Sequence, residues 1–311
     1  MKTEPAATAP EAVTLRGRGV LAEASHHASP VLGVVLALLV LWYAFAVALN
    51  APRVTEQLDG LGARWGAREL VLAAWSMERP VLPAPHQIAQ AFWQGVFEAA
   101  PDSPRSLVFH AGVTLSATLL GFALGMVLGV LLAIGVVHSR VLDRGLLPWI
   151  IASQTIPILA IAPMVVVVLG SLGLPPLASK AVISMYLCFF PVAVGMVKGL
   201  RSPKVLQLDL MHTYRASHLQ VLLKLRLPSA VPFLFASAKV AVTASLVGAI
   251  VGELPTGAQA GLGARLLSGS YFGQTIQIWS ALLMASLLGV LLVAAISLSQ
   301  RLVGRAMGAR A

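Results

Sequence analysis

Six stretches of this sequence each run for about twenty residues with almost no charge: 31–50, 111–137, 146–170, 180–197, 230–251 and 276–298. A helix of that length crosses the ~30 Å hydrocarbon core of a bilayer, whereas core elements of a water-soluble domain are shorter and more often interrupted. No ten-residue alternation of the kind that builds a membrane barrel is present, so the runs predict an all-α membrane protein of six transmembrane helices. Composition agrees, because 58% hydrophobic and 11% charged residues in a 311-residue chain cannot clothe a soluble domain. Pro157 and Pro163 in the third run and Pro191 in the fourth are expected inside the bundle, where neighbouring helices or waters satisfy the freed carbonyls.

Ala46-Val-Ala48 fits the small-residue pattern of a signal-peptide cleavage site. The run that carries it follows thirty mostly polar residues and exceeds the core of a signal peptide, about 7–15 residues, so it is read as a retained first span. The single cysteine, Cys188, excludes an intramolecular disulfide and is expected to pack as a small hydrophobe.

The net charge of +10 reads as topology. With both termini cytoplasmic, fourteen of the 22 Lys and Arg residues fall on the cytoplasmic side, and five of the seven outside lie in the long 51–110 segment, which weighs little in the positive-inside rule. A nucleic-acid partner is not expected, since no clustered basic face with aromatic or motif support is visible. His26, His27, His86, His110, His138, His212 and His218 show no metal-ligand spacing and read as loop or interfacial residues.

The chain divides into a polar tail, 1–30, expected to be disordered; a first span, 31–50; an external segment, 51–110; and a membrane core, 111–311. In the external segment Leu82-Pro-Ala-Pro85 leads into an Ile88, Phe92, Val96 stripe, which suits a short helix lying at the lipid interface. In the second span Ala117, Gly121, Gly125, Gly129 and Ala133 recur at four-residue spacing. Such a face lets another backbone approach closely, either a helix of the same chain or that of a second copy.

Between the fourth and fifth spans lies a stretch, 201–228, too long for a turn and too short for a domain. Ser202-Pro203 opens a first short helix, and Leu219, Leu222 and Leu223 give a second one an apolar face. Two readings fit: a docking element for a soluble partner, or an amphipathic connector lying on the membrane.

This loop resembles the EAA loop of ABC importer permeases, whose pattern is E-A-A, three residues, G, nine residues, I-x-L-P. Asp209, Leu210 and Met211 stand at the E-A-A positions, Arg215 at the glycine, followed by Ala216 and Ser217, and Leu225, Leu227 and Pro228 at I-x-L-P. Arginine at the glycine position gives up backbone freedom and offers a basic contact to an ATPase. Leu82-Pro-Ala-Pro85, Gln154-Thr-Ile-Pro157 with Ala162-Pro163, Ser179-Lys180 and Gly261-Leu-Gly263 resemble, in order, elements of the nitrate/sulfonate/taurine branch.

The resemblance implies a type I, MetI-like bundle with cytoplasmic coupling helices, in the bacterial inner membrane. It implies a homodimer of permease chains, a cytoplasmic ABC ATPase dimer docked on the loop, and a periplasmic substrate-binding protein. ATP and Mg would be used by the ATPase and no cofactor bound by this chain, which carries no G-x-x-x-x-G-K-[ST] phosphate loop and is expected to perform no covalent chemistry. Cargo would be a small solute: nitrate, a sulfonate such as taurine, or a heterocycle such as a thiamine-precursor pyrimidine.

Lys239 stands eleven residues after Pro228 as the ionisable residue deep in a span. It reads either as a path-lining cation favouring anionic cargo or as an anchor paired with a carbonyl or acid. Glu253 either lines an outer vestibule or caps a loop. Gln154 and Thr155 are candidate path groups or interhelical hydrogen-bond formers. An ion-coupled secondary transporter is the alternative, disfavoured by the scarcity of intramembrane charge and of inverted repeats. An intramembrane enzyme would need a catalytic constellation within the spans, and none is visible.

Overall fold

A computed structural model describes the backbone of residues 16–60, 65–255, 257 and 260–307, with side chains from Pro30 onward. Among these residues the chain is helical, without strands. It divides into two units, Met1–Gln87 and Ile88–Ala311.

In the first unit, α1 (Arg16–Gly60) carries the first apolar run, and α2 (Ala67–Ser76) follows. The expectation of disorder for 1–30 is corrected in part: 1–15 lie outside the described residues, but from Arg16 the chain is already helical. The Ala- and Leu-containing stretch before Pro30 contains good helix formers and is continuous with the span. Asn50, fully buried, organises what comes after. Its amide donates to the carbonyls of Ala74 (3.3 Å) and Leu82 (3.0 Å), and its oxygen accepts from Val81 N–H at 2.7 Å. Trp42 donates to the carbonyl of Pro83 at 3.1 Å, so the Leu82–Pro85 element is held at both its leucine and its first proline.

Pro85 begins α3 (Pro85–Trp93), which runs into a π turn, Gln94–Glu98. Ile88, Phe92 and Val96 turn inward, and Trp93 and Phe97 remain exposed with ring centroids 4.3 Å apart. An outward aromatic pair beside an apolar helix suits the water–lipid interface.

The second unit continues with α4 (Leu107–His138), α5 (Arg140–Ala152), α6 (Ile158–Ser171), α7 (Pro176–Leu200), α8 (Val205–Thr213), α9 (His218–Val221), α10 (Leu227–Glu253), α11 (Leu262–Tyr271) and α12 (Thr275–Ala306). Five apolar helices are long enough to span: Pro30–Gly60, Leu107–His138, Pro176–Leu200, His218–Glu253 and Thr275–Ala306. The third expected span, 146–170, is instead a bent pair, α5 and α6 meeting at 99°.

The break falls at Pro157 and not at the other prolines for a local reason. Ile156, preceding Pro157, is extended (φ −80°, ψ 121°), the region a following proline favours, and this ends the helical hydrogen bonding. Ser153 and Thr155 hydroxyls and the Tyr186 hydroxyl then bind carbonyls around the break.

The core is built on α7, which packs against α4 on one side and α10 on the other. The four-residue stripe on α4 faces α7 of the same chain. A Cβ on Gly121 would lie 2.2 Å from Ser184 Cβ, one on Gly125 2.7 Å from Cys188 Sγ, and one on Gly129 2.7 Å from Val192 Cβ. That face is therefore filled within the chain, and a dimer seam would have to use another. The outer faces of α1 and α12 expose Val31–Leu41 and Val290, Leu291 and Leu298, as lipid contact requires.

Candidate functional site

The loop between α7 and α10 is made of short-range devices. α8 closes in a Schellman turn: Ala216 N–H donates to Met211 C=O (3.0 Å) and Arg215 N–H to His212 C=O (2.9 Å). Arg215 takes the left-handed position with φ 50°, the one non-glycine residue with positive φ among those described. The sharp bend thus forms without glycine, at a cost of about 1–2 kcal/mol for a residue with a Cβ. Ser217 and Gln220 then cap α9 reciprocally, Gln220 N–H to Ser217 Oγ at 3.3 Å and Ser217 N–H to Gln220 Oε1 at 2.8 Å.

α9 continues into α10 through a π turn, Leu222–Arg226, so the second short helix is the first turn of a 36-residue helix. Pro228 has no N–H for Lys224 and its ring would crowd that carbonyl; the wider π turn sits where this conflict falls. Arg226 ties the loop to the end of α7 by a 2.8 Å bond to the carbonyl of Leu200. Only its charge, not this positioning contact, was readable from sequence.

Asp209, Leu210, Arg215 and Ser217 are exposed, and so is Pro228; Met211, Ala216, Leu225 and Leu227 are half-buried. On α8, Val205 (74%), Leu206 (79%) and Leu210 (56%) expose apolar side chains, joined by Tyr214 (77%) just after it. Lys204 and Arg215 flank them.

At the other end of α10 the residues are buried. Glu253, 0% exposed, accepts from Thr114 Oγ1 (2.9 and 3.1 Å to its two oxygens) and from Gly263 N–H (2.7 Å), and Lys180 Nζ lies 3.7 Å away. Leu262 N–H donates to Thr114 Oγ1 at 2.8 Å, and Gly261 N–H to His110 Nδ1 at 2.9 Å. Because Nδ1 accepts that bond, His110 carries its proton on Nε2, which donates to Pro104 C=O at 2.9 Å.

Negative charge at a helix N-terminus is favourable, and here a carboxylate meets the start of α11. Gly261-Leu-Gly263 has a geometric cause. Gly261 sits at φ 124°, and a Cβ on it would lie 2.3 Å from the Glu253 carboxyl; one on Gly263 would lie 2.4 Å from Ile250 C=O. Two residues along, Arg265 Nε is buried without a hydrogen-bond partner, and burial holds its guanidinium below the usual arginine value.

This corrects the placing of intramembrane charge. Lys239 is half-buried with no acidic partner among the described residues, and the fully enclosed ionisable pair is Lys180 with Glu253. Both stand at the ends of their apolar runs, where a hydropathy reading takes charge for the water boundary. The structure brings Glu253 together with Thr114 and His110, not with Lys239, Gln154 or Thr155. Gln154 and Thr155 are exposed at the α5–α6 break.

The chain is similar to known proteins. The model of the binding-protein-dependent transport system inner membrane component matches residues 125–309. A probable ABC transporter permease protein of Haemophilus influenzae is 36% identical over 69% of this chain and 85% of its own length. The formylaminopyrimidine transport permease protein ThiX of Halalkalibacterium halodurans is 33% identical over 70% and 82%. The riboflavin transport system permease protein RibX of Chloroflexus aurantiacus is 31% identical over 72% and 80%.

Proposed function

This chain belongs to the family of binding-protein-dependent transport system inner membrane components, and as a multi-pass permease of that family we propose that it imports a small nitrogen heterocycle by alternating access. Two copies form the path, a cytoplasmic ABC ATPase dimer docks on the 201–228 loop, and a substrate-binding protein delivers cargo to the opposite, periplasmic face. Both termini are cytoplasmic, and ATP and Mg are consumed by the ATPase.

One observation carries the docking assignment. Val205, Leu206 and Leu210 on a short helix, with Tyr214 just after it, expose apolar surface one turn before His218, where the span begins. Burying them in a partner removes apolar surface from water and attaches that partner to α10.

The second copy is supported by the α5–α6 break. Irregular backbone at membrane depth survives only against protein or a water-filled cavity, and residues 154–157 are exposed in the single chain. A path between two copies supplies both. Gln154 and Thr155 would then line it, and Lys239, lacking an acidic partner, would face its water and attract the electron-rich edge of the cargo. The heterocycle rests on the relatives transporting formylaminopyrimidine and riboflavin.

Co-purification with the cognate ATPase, followed by ATP-dependent uptake in proteoliposomes with the cognate binding protein, tests the reading. Leu206→Asp with Leu210→Asp is expected to abolish ATPase association while the permease stays folded. Uptake driven by an ion gradient without the ATPase would sink the importer reading in favour of a secondary carrier. Titrating the binding protein with formylaminopyrimidine, riboflavin, taurine and nitrate tests the cargo; tight binding of taurine or nitrate alone would overturn the heterocycle.

A further inference from the structure

Three successive N–H groups at the start of α11 are each held by a side chain of another helix: Gly261 by His110, Leu262 by Thr114 and Gly263 by Glu253. None of the three is a helix or turn bond: the first two form only while α11 keeps its place on α4, and the third only while it keeps its place on α10. α7 joins through Lys180, which faces Glu253 and donates to Ala260 C=O at 3.4 Å.

Nearer mid-length the same spans are tied by hydroxyls. Ser184 Oγ of α7 donates to Ser245 C=O of α10 (2.9 Å), and Ser245 Oγ to Thr118 C=O of α4 (2.8 Å). Between them the backbones touch with no slack. A Cβ on Gly248 would lie 2.7 Å from Ser184 Cα, and one on Gly199 would lie 2.9 Å from Ala230 Cβ.

Displacing α10 would strip the buried carboxylate of Thr114, Gly263 and Lys180 at once, and displacing α4, α7 or α11 would each remove one of these partners and leave charge or N–H groups unpaired. α5 and α6 share none of these ties. They meet at 99° and expose Trp149, Leu159, Met164 and Val167; they are held by the Tyr186 hydroxyl on Ser153 C=O, by Ile150 packed on Phe189 and Ala193, and by a half-exposed Asp143–Arg201 pair (2.8 Å), with no fully buried charge among these contacts.

We infer that Glu253 is a positioning residue of the transport cycle. With Thr114, His110 and Lys180 it clamps the start of α11 so that α4, α7, α10 and this start of α11 move as one body. The change of access is then carried by displacement of α5–α6 against that body. The inference rests on the alternating-access reading above and adds which part moves.

The three side-chain-held amides report the clamp directly. Hydrogen–deuterium exchange is followed on the permease reconstituted in nanodiscs with its ATPase and binding protein, nucleotide-free and ATP-trapped. In the wild type, exchange at 261–263 is expected to agree between the two states within about twofold, while exchange over 150–158 differs by about tenfold. Glu253→Gln, which cannot accept from Thr114 and Gly263 with both oxygens or balance Lys180, is expected to raise exchange at 261–263 about tenfold in both states.

Thr114→Val removes the relay to Leu262 and leaves the Lys180–Glu253 pair. It gives the same readout if the Glu253 variant does not fold. Wild-type exchange at 261–263 that follows the nucleotide state as strongly as 150–158 would overturn the inference and leave alternating access standing. So would variants that fold and leave these amides unchanged. A complex in which neither segment responds would defeat the alternating-access reading, and the inference with it.

Discussion

At its first turns α10 rises from a loop whose apolar side chains face outward, and at its last residue it ends on a carboxylate with no exposed surface. The loop holds its shape through contacts between residues a few positions apart: a Schellman turn, a capping box and a π turn. Arg226 binds Leu200 C=O, Arg201 pairs with Asp143 at 2.8 Å, and Ser217 and Gln220 cap α9, while Val205, Leu206, Leu210 and Tyr214 leave their side chains exposed to something outside the chain. The far end is the reverse. His110, Thr114, Lys180, Glu253 and Gly261 to Gly263 come from four helices and are used up on one another. Substitution at the far end should therefore register as stability, and substitution in the loop as association.

The largest expected effect is at Glu253. Glu253→Ala strands Lys180 as a buried, uncompensated cation, a loss of about 3–5 kcal/mol that should appear as a collapse of the thermal midpoint in detergent. Adding Lys180→Met should return most of it; failure to recover would mean that the hydrogen bonds to α11, not the charge pair, dominate this end.

Next comes the α4–α7 contact. Gly129→Ala places a methyl 2.7 Å from Val192 Cβ and 2.8 Å from Phe189 C=O. It should cost about 1–3 kcal/mol by overpacking. Gly112→Ala on the same helix meets nothing within 4 Å. It should be neutral or gain up to about 1 kcal/mol from helix propensity, and the two thermal midpoints can be compared directly.

In the loop the sign reverses. Arg215→Gly removes the Cβ from a left-handed residue and should stabilise by about 1 kcal/mol. A weaker hold on the ATPase in the same variant, read by co-purification, would show that arginine is kept for a contact despite the strain. The smallest stability change belongs to Leu206→Asp, expected within about 0.5 kcal/mol because the side chain touches little of its own chain. A large fall in midpoint there would mean that the loop is part of the folded core and would break the contrast between the two ends.

Legibility in the sequence followed the same division. The spans show as apolar runs because lipid contact leaves one signature per residue. The 201–228 loop shows as a spacing because its elements are consecutive, although the Ser217 and Gln220 cap was not read from it. The glycine stripe on α4 announced a close approach, but Ser184, Cys188 and Val192 on α7 had to be seen before its partner was known. The proline at 157 and those at 148, 163 and 191 look alike in sequence, yet only the first separates two helices, since the break depends on the conformation Ile156 adopts. The carboxylate cluster was hidden because its bonded members lie up to 151 positions apart, and each alone reads as a polar residue at the end of a span. The functional family was thus written locally, in the loop, and the clamp only in three dimensions.

The continuity of α9 with α10 has a mechanical consequence. From His218 to Glu253 the chain is one helix of 36 residues, about 54 Å at 1.5 Å per residue, against a hydrocarbon slab of about 30 Å. It carries a π turn at 222–226, close to the loop, and Pro232 within the first turns of α10. With a partner docked as proposed, a push at His218 would meet a helical strut rather than a relay of side chains, and would reach Glu253 through backbone that lacks a hydrogen bond only at its prolines.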